Sequence, residues 1–197
     1  MDLGLTGRAV VIASANAADR RACRDRLSSE GAVVIVVDQL SDAVAGIEQA
    51  VREFGRIDGV VMCLPTDETQ LLDASVADLY SCWAGVEFVA AAFRASAPTM
   101  IEQGHGRLVS VIPNSVKWLA DESDELGSIA GLGVLGMHKA AVADLARHGI
   151  SVNAVLRGDA DDIDEVAATI AFMLSENGGY MQGVTIALDG ARSPALF

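Results

Sequence analysis

The stretch from Ala9 to Asp38, AVVIASANAADRRACRDRLSSEGAVVIVVD, orders its residue types as a dinucleotide-binding unit would. An apolar β-branched run leads through a turn into a helical pattern, then a second apolar run, and a carboxylate closes it at Asp38. The turn is where such a unit does its chemistry, and here it reads ASANAADR, without glycine. Glycines would serve a tight bend, close backbone approach to a pyrophosphate, and close packing of helix on strand. This turn carries its own capping instead. Asn16 is an N-cap, and Asp19, three residues on, stands at N3 in a capping-box-like arrangement. A carboxylate in the first helical turn suits the helix dipole but repels an incoming pyrophosphate. The expectation is a helix N-terminus satisfied from within.

Other reactive residue types are sparse. His138 and Lys139 are adjacent on a helical pattern, so their side chains diverge and form no i, i+4 pair. His105, His138 and His148 have no cysteine or carboxylate at metal-ligand spacing, so surface histidines and no metal are expected. Cys23, Cys63 and Cys82 show neither pairing nor metal spacing; two sit in apolar runs and read as small core residues, a pattern that suits a reducing cytoplasm. The acidic run DADDIDE (159–165) reads as a solvated loop and helix start. Tyr80 and Tyr180 are the two tyrosines.

The elements that must position these residues separate by period. Strands are expected at RAVVIA (8–13), AVVIVV (32–37), GVVMCL (59–64), RLVSVI (107–112), ISVNAVL (150–156) and GVTIALD (183–189). Helical patterns fill Ala17–Glu30, Ser41–Phe54, Val76–Gln103, Ile129–His148 and Asp162–Ser175. Strands that alternate with helices and are apolar on both faces build a parallel sheet covered on two sides. The 197 residues suit one domain spanning 1–197. A formal charge of −13 argues against nucleic acid or an anionic membrane as partner. Charges interrupt the apolar runs, so no membrane span is expected. The opening MDLGLTGR lacks the pattern of a secretory signal.

Five segments together resemble signatures of the short-chain dehydrogenase/reductase family. They are LTGRAVVI (5–12), FGRID (54–58), GHGRLVSV (104–111), GLGVLGMHKAAVADLARHGISVNAV (131–155) and SENGGYMQGVTIALDGA (175–191). They run collinearly over nearly the whole chain. The resemblance implies a doubly wound, Rossmann-like α/β fold of about six parallel strands with helices on both faces. One helix and one edge strand are missing after Asp38, and the substrate-covering loop after LRGDADD is nearly gone.

The resemblance also assigns sites. Aligned without gaps, the three turn glycines fall on Ser14, Ala18 and Arg20, and Arg20 brings a long side chain to the helix–strand contact. Asp38 is the one retained cofactor feature, at a position where an acidic residue favours NAD over NADP. The pocket-lining segment after the next strand reads MCLP (Met62 to Pro65) and is apolar. The proton-donor tyrosine position is Gly127 and the lysine position Gly131; a gapped alternative makes Lys139 the lysine and Leu135 the tyrosine position. The serine position is Pro113, with Ser115 two residues late. A proton-relay asparagine falls near Cys82 or Trp83. No catalytic residue and no bound cofactor are therefore expected.

Two readings follow. The first is a catalytically inactive structural or regulatory subunit in the cytoplasm. It would pair with itself or with an active relative through helices 76–103 and 129–148 and the last strand. Gly131, Gly133 and Gly136 would then mark either a close helix–helix approach or a frayed helix. The alternative is an NAD-dependent oxidoreductase with an atypical active site. A third reading gives the vacated cleft to a metabolite other than a nucleotide.

Overall fold

The computed structural model describes residues 2–67, 69–119, 124–158 and 163–191. Six strands form one parallel sheet in the order β2-β1-β3-β4-β5-β6. They are β1 (Ala9–Ser14), β2 (Val33–Val37), β3 (Gly59–Cys63), β4 (Gly106–Pro113), β5 (Ile150–Arg157) and β6 (Thr185–Leu188). The helices are α1 (Ala17–Ser29), α2 (Ala43–Phe54), α3 (Val76–Gln103), α4 (Glu125–Leu145) and α5 (Ile163–Leu174). The expected α/β class and strand count stand.

Alternation along each strand divides the core into two layers. Val11, Ala13, Val60, Met62, Leu108 and Ile112 face α2, α3 and α4. Val10, Ile12, Val61, Cys63, Val109 and Val111 face α1 and α5. The central strands are buried on both faces and therefore read as unbroken apolar runs. β2 and β6 are the two edge strands, and Val33 at the start of β2 is exposed, consistent with a sheet that stops on that side where an outer strand is missing.

Caps set most boundaries. Ser75 and Asp78 form a reciprocal capping box at the start of α3, and left-handed glycines close α2 (Gly55) and α3 (Gly104). The start of α4 differs from the sequence pattern: it begins at Glu125, four residues before Ile129. Gly131 and Gly133 lie inside this intact helix, so close approach, not fraying, accounts for them. A Cβ on Gly131 would stand 2.3 Å from Val116 Cγ1 and 2.6 Å from Ile112 Cγ2, and one on Gly133 would meet Trp83 of α3 at 3.0 Å. Gly136 faces open space. By length and composition α3 and the stretch Glu125–His148 are apolar enough to cross a membrane, contrary to expectation; both lie along the sheet and against each other.

Candidate active site

The chain order reverses direction at β1, which lies between β2 and β3, so the C-terminal ends of β1 and β3 flank a topological switch point. A cleft of about 250 Å³ opens there, lined by Ser14, Asn16, Asp19, Cys63, Pro65 and Arg157 among others. Asn16 caps α1 as its residue type implies: Oδ1 accepts from the amides of Ala18 (2.8 Å) and Asp19 (3.3 Å). Asp19 does not complete a capping box. The Asn16 amide donates to Ser14 Oγ instead (3.1 Å). The Asp19 carboxylate is taken by Arg157, which reaches back from the end of β5, Nη1 to Oδ2 2.5 Å, with both side chains buried. No sequence period couples positions 138 residues apart, so this pair was not foreseen. Arg20 donates from Nη1 to the Ser14 carbonyl (2.6 Å). Ser14, Ala18 and Arg20 thus share one internally bonded turn. Asp38 stands exposed just past β2.

A second cleft, of about 310 Å³, shares Ala15, Leu64, Pro65 and Thr66 with the first and runs between Gln39–Ser41 and the start of α4. On its α4 side the turns after β3 and β4 converge on Asp124. Its Oδ1 accepts from the Asp67 amide (2.6 Å) and its Oδ2 from Ser115 Oγ (3.1 Å). The Ser115 carbonyl accepts from Ser128 Oγ (3.3 Å). Burial raises the Asp124 carboxyl above its ordinary range, partly offset by the hydrogen bonds from Asp67 and Ser115. A Cβ on Gly127 would lie 1.9 Å from Asp124 Oδ1, so this carboxylate occupies the volume a larger residue at 127 would enter. Ser115 carries the hydroxyl nearest the end of β4, since Pro113 has none. Asp124 showed no signal in the sequence, because its position depends on the meeting of two connections, those after β3 and β4.

Asn114 Nδ2 approaches Asp189 Oδ2 at 3.4 Å, while its buried Oδ1 has no partner among the described residues. Cys82 donates from Sγ to the Leu126 carbonyl (3.0 Å) and lines the second cleft; burial raises its thiol. Lys139 is exposed, Leu135 half-buried, and Tyr80 and Tyr180 point to solvent. His138 departs from expectation. It lies four residues after Val134 and eight after Ala130 on the buried face of α4, where Ser110 Oγ meets Nε2 at 2.9 Å. The helical period explains its burial. His105 is half-buried beside Asp58 and its two arginines, Arg8 and Arg56. In the acidic run 159–165, residues 159–162 lie outside the described residues, and Ile163 to Glu165 begin α5.

No family model matches the chain. It is 26% identical to the short-chain reductase protein NovJ of Streptomyces niveus, covering 87% of this chain and 88% of that protein. It is 28% identical to BbsD of Thauera aromatica, a subunit of (2S)-[(R)-hydroxy(phenyl)methyl]succinyl-CoA dehydrogenase, over 95% and 87% respectively. L-sorbose reductase from Gluconobacter frateurii, solved with NADPH and L-sorbose, superposes with a TM-score of 0.85 at 16% identity, covering 96% of this chain and 98% of that one. Relatives and solved neighbours point to the short-chain dehydrogenase/reductase family. The expectation of a catalytically inactive subunit is overturned by these matches: the similar short-chain reductases and dehydrogenases carry the names of active enzymes. Filled turn positions weighed too heavily in that reading, because they test one way of holding a cofactor and not the chemistry of the whole cleft. BbsC and BbsD are both named as subunits of one dehydrogenase, so proteins of this kind do assemble with partners.

Proposed function

We propose that this chain is an oxidoreductase of the short-chain type with an atypical site, interconverting a carbonyl and a hydroxyl with a nicotinamide dinucleotide. The observation that carries this reading is the Ser115–Asp124 pair, a hydroxyl bonded to a buried carboxyl of raised pKa beside a cleft at the C-terminal edge of the sheet. Two contiguous clefts give an extended ligand a path across that edge. When bound, the nicotinamide supplies or removes the hydride at the substrate carbon.

The chain's own residues handle the proton. Burial shifts the Asp124 carboxyl toward its protonated form, in which it can donate to a developing alkoxide, and the Ser115 hydroxyl at 3.1 Å orients it. In the reductive direction the proton leaves Asp124 for the substrate oxygen, Ser115 holds the carboxyl through its hydroxyl, and solvent reprotonates Asp124. The oxidative direction reverses each transfer.

We also propose self-pairing through α3 and α4. Val76, Tyr80 and Trp83 of α3, at i, i+4 and i+7, and Leu132 of α4 present apolar surface to solvent. A cytoplasmic location belongs to the same reading, supported by three free, buried cysteines.

The test is titration with NADH and NADPH, followed by cofactor fluorescence and thermal shift, and then turnover of a panel of ketones and aldehydes. A cofactor at 100 times its dissociation constant stabilises the fold by about 2.7 kcal/mol. No response to either cofactor at millimolar concentration overturns the reading.

A further inference from the structure

We infer that Arg157, oriented by Asp19, is the phosphate anchor of the switch-point cleft, doing with a guanidinium what a glycine turn does with backbone amides. The amides of Ala18 and Asp19, which would face a phosphate at this helix start, are already bonded to Asn16 Oδ1. An anion here therefore needs other donors. Arg157 lines the cleft, its side chain nine-tenths buried, and among the described residues only Nη1 is engaged, by Asp19. A guanidinium carries five donors in a planar fork, so Nε and Nη2 remain for a second, bidentate acceptor.

Arg20 stands on the same turn, with only Nη1 engaged among the described residues, by the Ser14 carbonyl. Among the described residues the charged side chains on this cleft and its turn are Asp19, Arg157 and Arg20, two cations to one anion on a chain of formal charge −13. Burying the cation costs solvation, and Asp19 offsets that cost in the free protein while fixing the fork. Removing the Asp19 charge leaves the site more cationic and its affinity for phosphate higher.

The inference rests on the oxidoreductase reading only for the ligand it names, the diphosphate of a dinucleotide; the site itself recognises the phosphate group. The test is calorimetric titration of the full chain with inorganic pyrophosphate, ADP and NADH. It compares the wild type with Arg157→Gln, Arg157→Lys, Arg20→Gln and Asp19→Asn.

Wild-type binding of pyrophosphate and ADP is expected, weakened about tenfold or more by Arg157→Gln. Arg157→Lys should recover only part of that loss, because an ammonium cannot bond in fork geometry. Asp19→Asn should tighten binding. If Arg157→Gln does not fold, the comparison falls to Arg157→Lys and Arg20→Gln, which keep or sit outside the buried pair and are both expected to weaken pyrophosphate binding. NADH binding that none of the Arg157 and Arg20 variants changes would overturn the anchor and leave the oxidoreductase reading standing. Pyrophosphate binding without NADH binding would leave the anchor and remove that reading. Failure of the wild type to bind any of the three overturns both.

Discussion

Asp124 and Arg157 are the two residues on which the site turns, and each makes a separate prediction. Asp124→Asn removes the transferable proton; its amide oxygen can keep the hydrogen bond from Asp67, and its Nδ2 can donate to the Ser115 hydroxyl in place of accepting from it. Turnover is expected to fall by about 10²–10⁴-fold, with cofactor affinity unchanged; unaltered kcat in steady-state assays would remove Asp124 from the chemistry. Arg157→Gln leaves a buried Asp19 without its partner. Breaking a buried pair typically costs about 3–5 kcal/mol, so a fall in Tm on the order of 10 °C is expected by calorimetry. Neither residue was legible in the sequence as a functional group. Asp19 was, through its place in the first turn of α1, but its partner lies in β5, and only the folded sheet brings them together.

At the scale of elements, α4 makes the sharpest contrast. Gly131→Ala drives a Cβ into Val116 and Ile112 and is expected to cost about 1–3 kcal/mol. Gly136→Ala enters open space and should stabilise by about 0.5–1 kcal/mol through helix propensity. Urea denaturation of the two variants checks both signs; equal effects would mean that helix propensity, not packing, governs these glycines. The sequence placed all six strands and five helices because period and cap residues are local properties. It missed the first turn of α4, which follows Asp124, a residue held by Asp67 and Ser115 through contacts with no local pattern.

For the whole molecule, the histidines set the acid limit. Burial lowers His138 to about 4, and burial together with Arg107 and Arg8 lowers His105 to about 4. Both folded values lie below the unfolded value near 6.5. The unfolded chain therefore binds more protons in that window, and stability is lost as pH falls from about 6.5 to about 4. The enclosed His138 alone contributes on the order of 3 kcal/mol. Asp58 adds to the loss at lower pH: burial opposes its charge, but Arg56, the Ala9 amide and Arg8 outweigh burial and hold it below the usual carboxylate range. Asp124 has the opposite sign, since its raised carboxyl favours the fold at low pH and that share is lost as pH rises through its folded value. Thermal melts from pH 7 to 4 should show a falling Tm that His138→Gln partly flattens. In solution, Tyr80→Glu on the exposed stripe of α3 should shift the chain to smaller species in sedimentation velocity.

The sequence by itself determined the class of fold, the element order and the internally capped turn at Asn16, because each follows from side-chain period and from contacts within a few residues. It also carried the short-chain family resemblance in its strand and helix motifs. The tertiary structure alone decided which residues face the clefts. Arg157 meets Asp19 across the sheet, Ser115 meets Asp124 where loops from β3 and β4 converge, and His138 turns inward onto Ser110. Those pairs depend on strand order and on the relative height of strand ends, long-range quantities that no local pattern of residue types encodes.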